Sequence, residues 1–220
     1  NVETNTKNQI INTLKEWPWE WKVGDNPNTA PQSLATRLRA ELELLFEESC
    51  WENSLKTLKD CQGFMLLEIN AEDDPDIISI IMSARKLEIN PLTALISLSK
   101  NSIELSQRLQ LAHEQQKILS SFIQIQDFAS NNFNRDAINN WKPSQWTNQI
   151  EMRSWHPDAI SIAISHKLTF CENLLLWLKD WQFVTAPLSA QDLINNGWEP
   201  GPEIGKELKR LRFKEIDSGQ

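Results

Sequence analysis

Apolar residues in this chain recur with the spacing of a helix and almost nowhere with that of a strand. That period constrains the fold more than any other feature. In LATRLRAELELLFEE, Leu34, Leu38, Leu42, Leu45 and Phe46 follow at steps of four, four, three and one, which gathers them on one side of a helix. WENSLKTLKDC repeats the pattern with Trp51, Leu55 and Leu58. Pro75 and Pro91 each read as first-turn prolines, with acidic or amide capping residues just before them. From Ile103 to Ile125 the helical spacing continues, with a break near Leu111, and one long helix can be written from about Asp158 to Trp181. No alternating apolar and polar run closed by an Asn-Gly or Asp-Gly turn occurs. The expected fold is all-α.

Two stretches punctuate this pattern. WPWEWKVGDNPNTAP (17–31) holds Pro18, Pro27, Pro31 and Gly24 among Trp17, Trp19 and Trp21, so residues 1–31 read as an extended lead-in that docks on the body. NNFNRDAINNWKPSQW (131–146), rich in Asn and Trp, reads as a seam. The expected organisation is a helical body over 32–140 and a tail over 141–220 that ends in a small helix-turn-helix.

Composition narrows the function classes. The longest unbroken apolar run, Leu174 to Leu178, is far too short to span a bilayer, and no basic-then-apolar leader opens the chain. Cys50, Cys61 and Cys171 are odd in number and far apart, which fits reduced thiols and a cytoplasmic setting. His113, His156 and His166 form no metal-binding array, so no metal site is expected. The first residue is Asn rather than Met, so the chain is expected to be part of a longer protein. A net charge of −8 argues against indiscriminate nucleic-acid binding, which needs many phosphate contacts. It leaves room for a local basic face: Lys206, Lys209, Arg210, Arg212 and Lys214 crowd into residues 206–214 beside a single Glu207.

The residues just before that cluster are the most specific in the chain. Ser189 and Asp192 fit a capping box that starts a helix at about Ala190, and Gly197 fits its left-handed stop. Pro202 suits the first position of a second helix, and Gly205 lies one turn in, where a missing side chain permits close approach. The free N–H groups at that second start could cradle a phosphate, with the basic residues flanking a sugar-phosphate backbone as in helix-hairpin-helix modules. The competing reading is that Gly205 admits a neighbouring helix and the cations merely solvate a C-terminal helix.

APLSAQDLINNGWEPGPEIGKELKRLRFKEID (186–217) resembles the C-terminal signature of bacterial class II tRNA nucleotidyltransferases, the CCA-adding enzymes and their poly(A) polymerase relatives. The likeness runs through Leu188, Ser189, Asp192, Leu193, Gly197, Pro200, Gly201, Pro202, Ile204, Gly205 and Leu208, and departs at Ala190, where the family commonly has glycine. Residues 36–68, with Arg37 and Glu41, are similar to the start of the family's helical body, and the WPWEW lead-in suggests a cyanobacterial-type member.

The resemblance implies that this chain is the tRNA-binding body and tail of an enzyme that adds CCA, or A, to tRNA 3′ ends. It further implies RNA contacts at Gly201, Gly205, Lys206, Lys209, Arg210, Arg212 and Lys214, with Arg37 and Arg39 as candidates in the body. Arg37 can equally pair with Glu41 across one turn. Arg85, Lys86 and Arg108 are weaker candidates. The family's transfer chemistry uses Mg and CTP or ATP in a head domain with a Gly-Ser and an Asp-x-Asp motif. No Gly-Ser dipeptide occurs here, and Asp74-Pro75-Asp76 reads as helix-start acidity. The expected state is therefore a chain with no catalytic residues and no cofactor of its own, a missing head domain and tRNA as partner. Two other readings stay open: a stand-alone helix-hairpin-helix DNA-binding module, and a helical protein-interaction scaffold.

Overall fold

The computed structural model describes residues 3–16, 32–69, 76–131, 138 and 140–219. Among them are twelve α-helices and no strand, so the fold is all-α. By contacts the chain forms two compact units, residues 1–123 and 124–220.

The first unit holds α1 (Thr4–Glu16), α2 (Gln32–Glu47), α3 (Trp51–Asp60), α4 (Ile77–Lys86), α5 (Pro91–Ile96), α6 (Ser102–Arg108) and most of α7 (His113–Ser130). Residues 4–16 are thus helical, which corrects the extended reading of 1–31. The prolines and glycine that argued for extension begin only at Pro18, whereas Ile11 and Leu14 keep helical spacing and Leu14 is buried. Trp17, Trp19, Trp21 and Pro75 lie outside the described residues.

Leu42, Leu55, Ile81, Leu95, Leu105 and Leu119 make the centre of this unit's core. A 3-10 turn, Gly63–Leu67, follows α3 so closely that a Cβ on Gly63 would lie 2.4 Å from Leu58 Cδ1. Asn90 caps α5 by accepting from Leu92 N–H at 2.9 Å and Thr93 N–H at 3.1 Å, with Pro91 in the first turn as expected. The break near Leu111 falls between α6 and α7.

The second unit comprises the end of α7, α8 (Pro143–Met152), α9 (Pro157–Ser165), α10 (Cys171–Lys179), a 3-10 turn at Trp181–Phe183, α11 (Ala190–Asn195) and α12 (Pro202–Ser218). Its core sets an aromatic cluster among buried aliphatic residues such as Ile150, Ile160, Ile162 and Leu174. Phe128 lies 5.2 Å from the Trp155 ring and 6.3 Å from both Trp146 and Phe170. Trp146, Trp155, Trp177 and Trp181 are buried, as is Trp51 in the first unit, so these tryptophans serve packing.

The long helix expected over 158–181 is instead two helices. Lys167 and Phe170 both take left-handed φ, 53° and 70°, and the chain turns between them. His166, the last residue on that side, is pushed down to about 4 by burial and is neutral at physiological pH.

One device ends five of these helices. After α9, Lys167 N–H donates to Ile164 C=O at 3.0 Å and Leu168 N–H to Ala163 C=O at 3.2 Å, the paired bonds of a Schellman motif. The same pair closes α4 at Glu88 and Ile89, α6 at Gln110 and Leu111, α8 at Ser154 and Trp155, and α11 at Gly197 and Trp198. In each case the left-handed residue is followed by an apolar one.

Candidate nucleic-acid interface

The stretch from Ser189 to Arg212 folds locally as its residues dictate. Ser189 Oγ accepts from Asp192 N–H at 3.2 Å, and the Asp192 carboxylate accepts from Ser189 N–H at 2.8 Å, so α11 begins at Ala190. Ser189 Oγ–H also donates to that carboxylate at 2.7 Å, and this bond, with the one from Ser189 N–H, holds the Asp192 carboxyl below its ordinary range. Leu193 points inward and anchors the short helix. At Gly197 φ is +92°, which a Cβ would resist. The chain then runs through an exposed Trp198 to Pro202, the first residue of α12. α11 and α12 pack on each other.

No side chain caps α12 at its start. Gly201 is extended there and needs no special freedom; no described atom lies within 4 Å of where its Cβ would be. The same holds at Gly205. The helix-packing explanation for Gly205 is therefore not realised among the described residues.

α12 packs on α8 in the opposite direction. Asp217 near its end accepts from Ser144 N–H (2.9 Å) and Oγ–H (2.8 Å) at the start of α8, while Arg212 reaches Glu151 near the end of α8. Ile204 and Ile216 of α12 are buried, with Leu208 and Leu211 half-buried. Arg212 belongs to that inward side. Its Nη1 donates to Glu151 Oε1 at 2.7 Å and its Nε to Val184 C=O at 2.7 Å. It is a tie between elements, turned inward where the resemblance implies an RNA contact.

The remaining cations face outward in two rows. Lys206, Arg210 and Lys214 recur every four residues and are all exposed. Gly201, Gly205 and Lys209 recur in the same way along an adjacent edge, bare backbone followed by an ammonium. Lys206 Nζ donates to Glu203 at 2.7 Å, and Arg210 holds Glu207 through Nε at 2.7 Å and Nη2 at 2.6 Å. The Arg210 guanidinium holds the Glu207 carboxyl below its ordinary range, and Glu207 raises Arg210 in turn. Lys209 donates to Asn148 Oδ1 of α8 at 2.8 Å and lies 5.2 Å from the Phe213 ring centroid.

The body candidates fall in the first unit. Arg37 is exposed and lies 3.9 Å from Glu41, the pairing its spacing allowed. Arg39 is half-buried and donates to the Gln110 carbonyl. Arg85 packs over Trp51 at 4.9 Å and donates to Phe46 C=O; Arg108 is buried against Glu68 at 2.9 Å. These last three side chains are held by the fold.

Sequence reasoning named the cations of α12 but not their long-range partners. The step of three from Glu203 to Lys206 and from Glu207 to Arg210 was readable. Asn148 and Glu151 were not, because nothing local says which helix α12 will meet. Among the described residues no helix is long and apolar enough to cross a membrane, and no cluster of three or more His, Cys, Asp or Glu could hold a metal. No family model, curated protein or solved structure matches this chain.

Proposed function

We propose that α12 and the turn before it grip the sugar-phosphate backbone of tRNA, and that this chain is the body and tail of a template-independent nucleotidyltransferase adding CCA or A to tRNA 3′ ends. In that reading the Mg- and nucleotide-dependent chemistry belongs to a head domain outside this chain. The observation that carries it is the outward side of α12. An edge of bare backbone at Gly201 and Gly205 lies beside exposed Lys206, Lys209, Arg210 and Lys214, on a helix start with no side-chain cap. Uncapped N–H groups and cations suit phosphates, and an edge without Cβ atoms lets a backbone come close. Such contacts position a substrate without reading its sequence, which suits a protein that must accept every tRNA.

Two variants test this. Replacing Lys206, Arg210 and Lys214 together by Ala is expected to weaken tRNA binding about tenfold or more and to flatten its salt dependence. Gly205→Ala is expected to raise stability by about 0.5–1 kcal/mol, because Gly205 is an exposed helical glycine, while lowering tRNA affinity. Binding that ignores both changes removes the reading. A preference for duplex DNA over tRNA at fixed salt would support the DNA-binding module instead, and partner binding insensitive to the basic row would support the protein scaffold.

A further inference from the structure

The outward row of α12 carries its own anions. Glu203 precedes Lys206 by three residues and Glu207 precedes Arg210 by three, so each cation meets a carboxylate across less than one turn. The two pairs differ in shielding. Glu203 is 66% exposed, whereas the Glu207 side chain is 16% exposed beneath a guanidinium that is itself 64% exposed. Glu207 thus takes the donors on one side of Arg210 and leaves the others to solvent. Lys214 has Leu211 at the corresponding position, and no described residue forms an ion pair with it.

We infer that Glu203 and Glu207 are resident competitors for the phosphates that this row binds. This rests on the reading of α12 as an RNA-backbone site. A carboxylate and a phosphate oxygen ask for the same donors, so an arriving phosphate must share or displace the carboxylate. Exposed pairs at this spacing are weak, and the exchange is therefore feasible. The displaced carboxylate stays covalently close and repels the phosphate across the intermediate screening of a protein surface. The acidic partners keep the cations in place when the site is empty and speed release once it is full. They limit the grip rather than build it.

The test measures tRNA dissociation constant and off-rate for the full chain at fixed salt, using a tRNA transcript as probe. E203Q/E207Q keeps side-chain size and helix propensity while removing both competitors. It is expected to bind about five- to twentyfold tighter, mainly through a slower off-rate, with a salt slope steeper by about one to two. E215Q is the charge control: Glu215 is exposed on α12 on the side of Leu211, away from the row, and its variant is expected to change affinity by no more than about twofold.

Equal tightening by E215Q would overturn the inference, because net charge alone would then explain the gain. An unchanged affinity in E203Q/E207Q, with the Lys206/Arg210/Lys214 variant still impaired, would overturn it and leave the RNA reading standing. Binding indifferent to the basic row would remove both. Should E207Q disturb α12 by far-UV circular dichroism, E203Q at the more exposed carboxylate carries the same comparison on its own.

Discussion

Glu88, Gln110, Ser154 and Lys167 hold left-handed φ between 53° and 61° at the ends of α4, α6, α8 and α9, where most proteins place glycine. The chain has only six glycines, and among the described residues just one, Gly197, serves this purpose. Each non-glycine accepts a backbone strain of about 1–2 kcal/mol, partly offset because glycine would lose more entropy on folding. Replacing any one of the four by Gly is therefore expected to stabilise the protein by up to about 1 kcal/mol in urea unfolding, and Gly197→Ala to destabilise it by a similar amount. Four neutral or harmful substitutions would show that these turns are not strained. These positions also mark where the sequence was hardest to read. Ser189, Asp192, Gly197 and Pro202 announce α11 and α12 by residue type, but nothing about Lys167 or Phe170 announces the break that divides 158–181.

Between elements, Arg212 and Arg210 make the clearest contrast. They lie two residues apart, and pattern alone treats them alike. Docking on α8 separates them: Arg212 is folded into Glu151 and Val184, while Arg210 keeps most of its surface in solvent. Arg212→Ala is expected to cost about 1–3 kcal/mol of stability, since it leaves Glu151 and the Val184 carbonyl without their partner in a half-buried place. Lys206→Ala is expected to stay within about 0.5 kcal/mol. In a double-mutant cycle Arg212→Ala and Glu151→Ala are expected to cost less together than their sum. A harmless Arg212→Ala would return that residue to the candidate RNA face. The amphipathic spacing in α12 did give Leu208 and Leu211 their inward side. It could not say how wide that side is, because the width depends on the long-range partner.

At the scale of the molecule, the fold class was legible because a helical period repeats over the whole chain, whereas the division into units was not. The division falls between Ile123 and Gln124, inside α7, where the sequence carries no turn residue. Each unit has its own core, mostly leucine and isoleucine in one and an aromatic cluster set among isoleucines in the other. A chain running from His113 to Gln220, with α7 whole, is expected to unfold cooperatively and to keep the near-ultraviolet circular dichroism of packed tryptophans. Loss of that signal would mean the aromatic core depends on the first unit. With a net charge of −8, attraction for a polyanion depends on local basic faces, and the one proposed here lies on α12. That dependence bears on Gly205. Nothing within the described fold resists a side chain there, and alanine would make a better helix, so drift under selection for folding alone runs steadily away from glycine. Lineages that keep it and lineages that lose it would then record, at one codon, whether this surface still has something to hold.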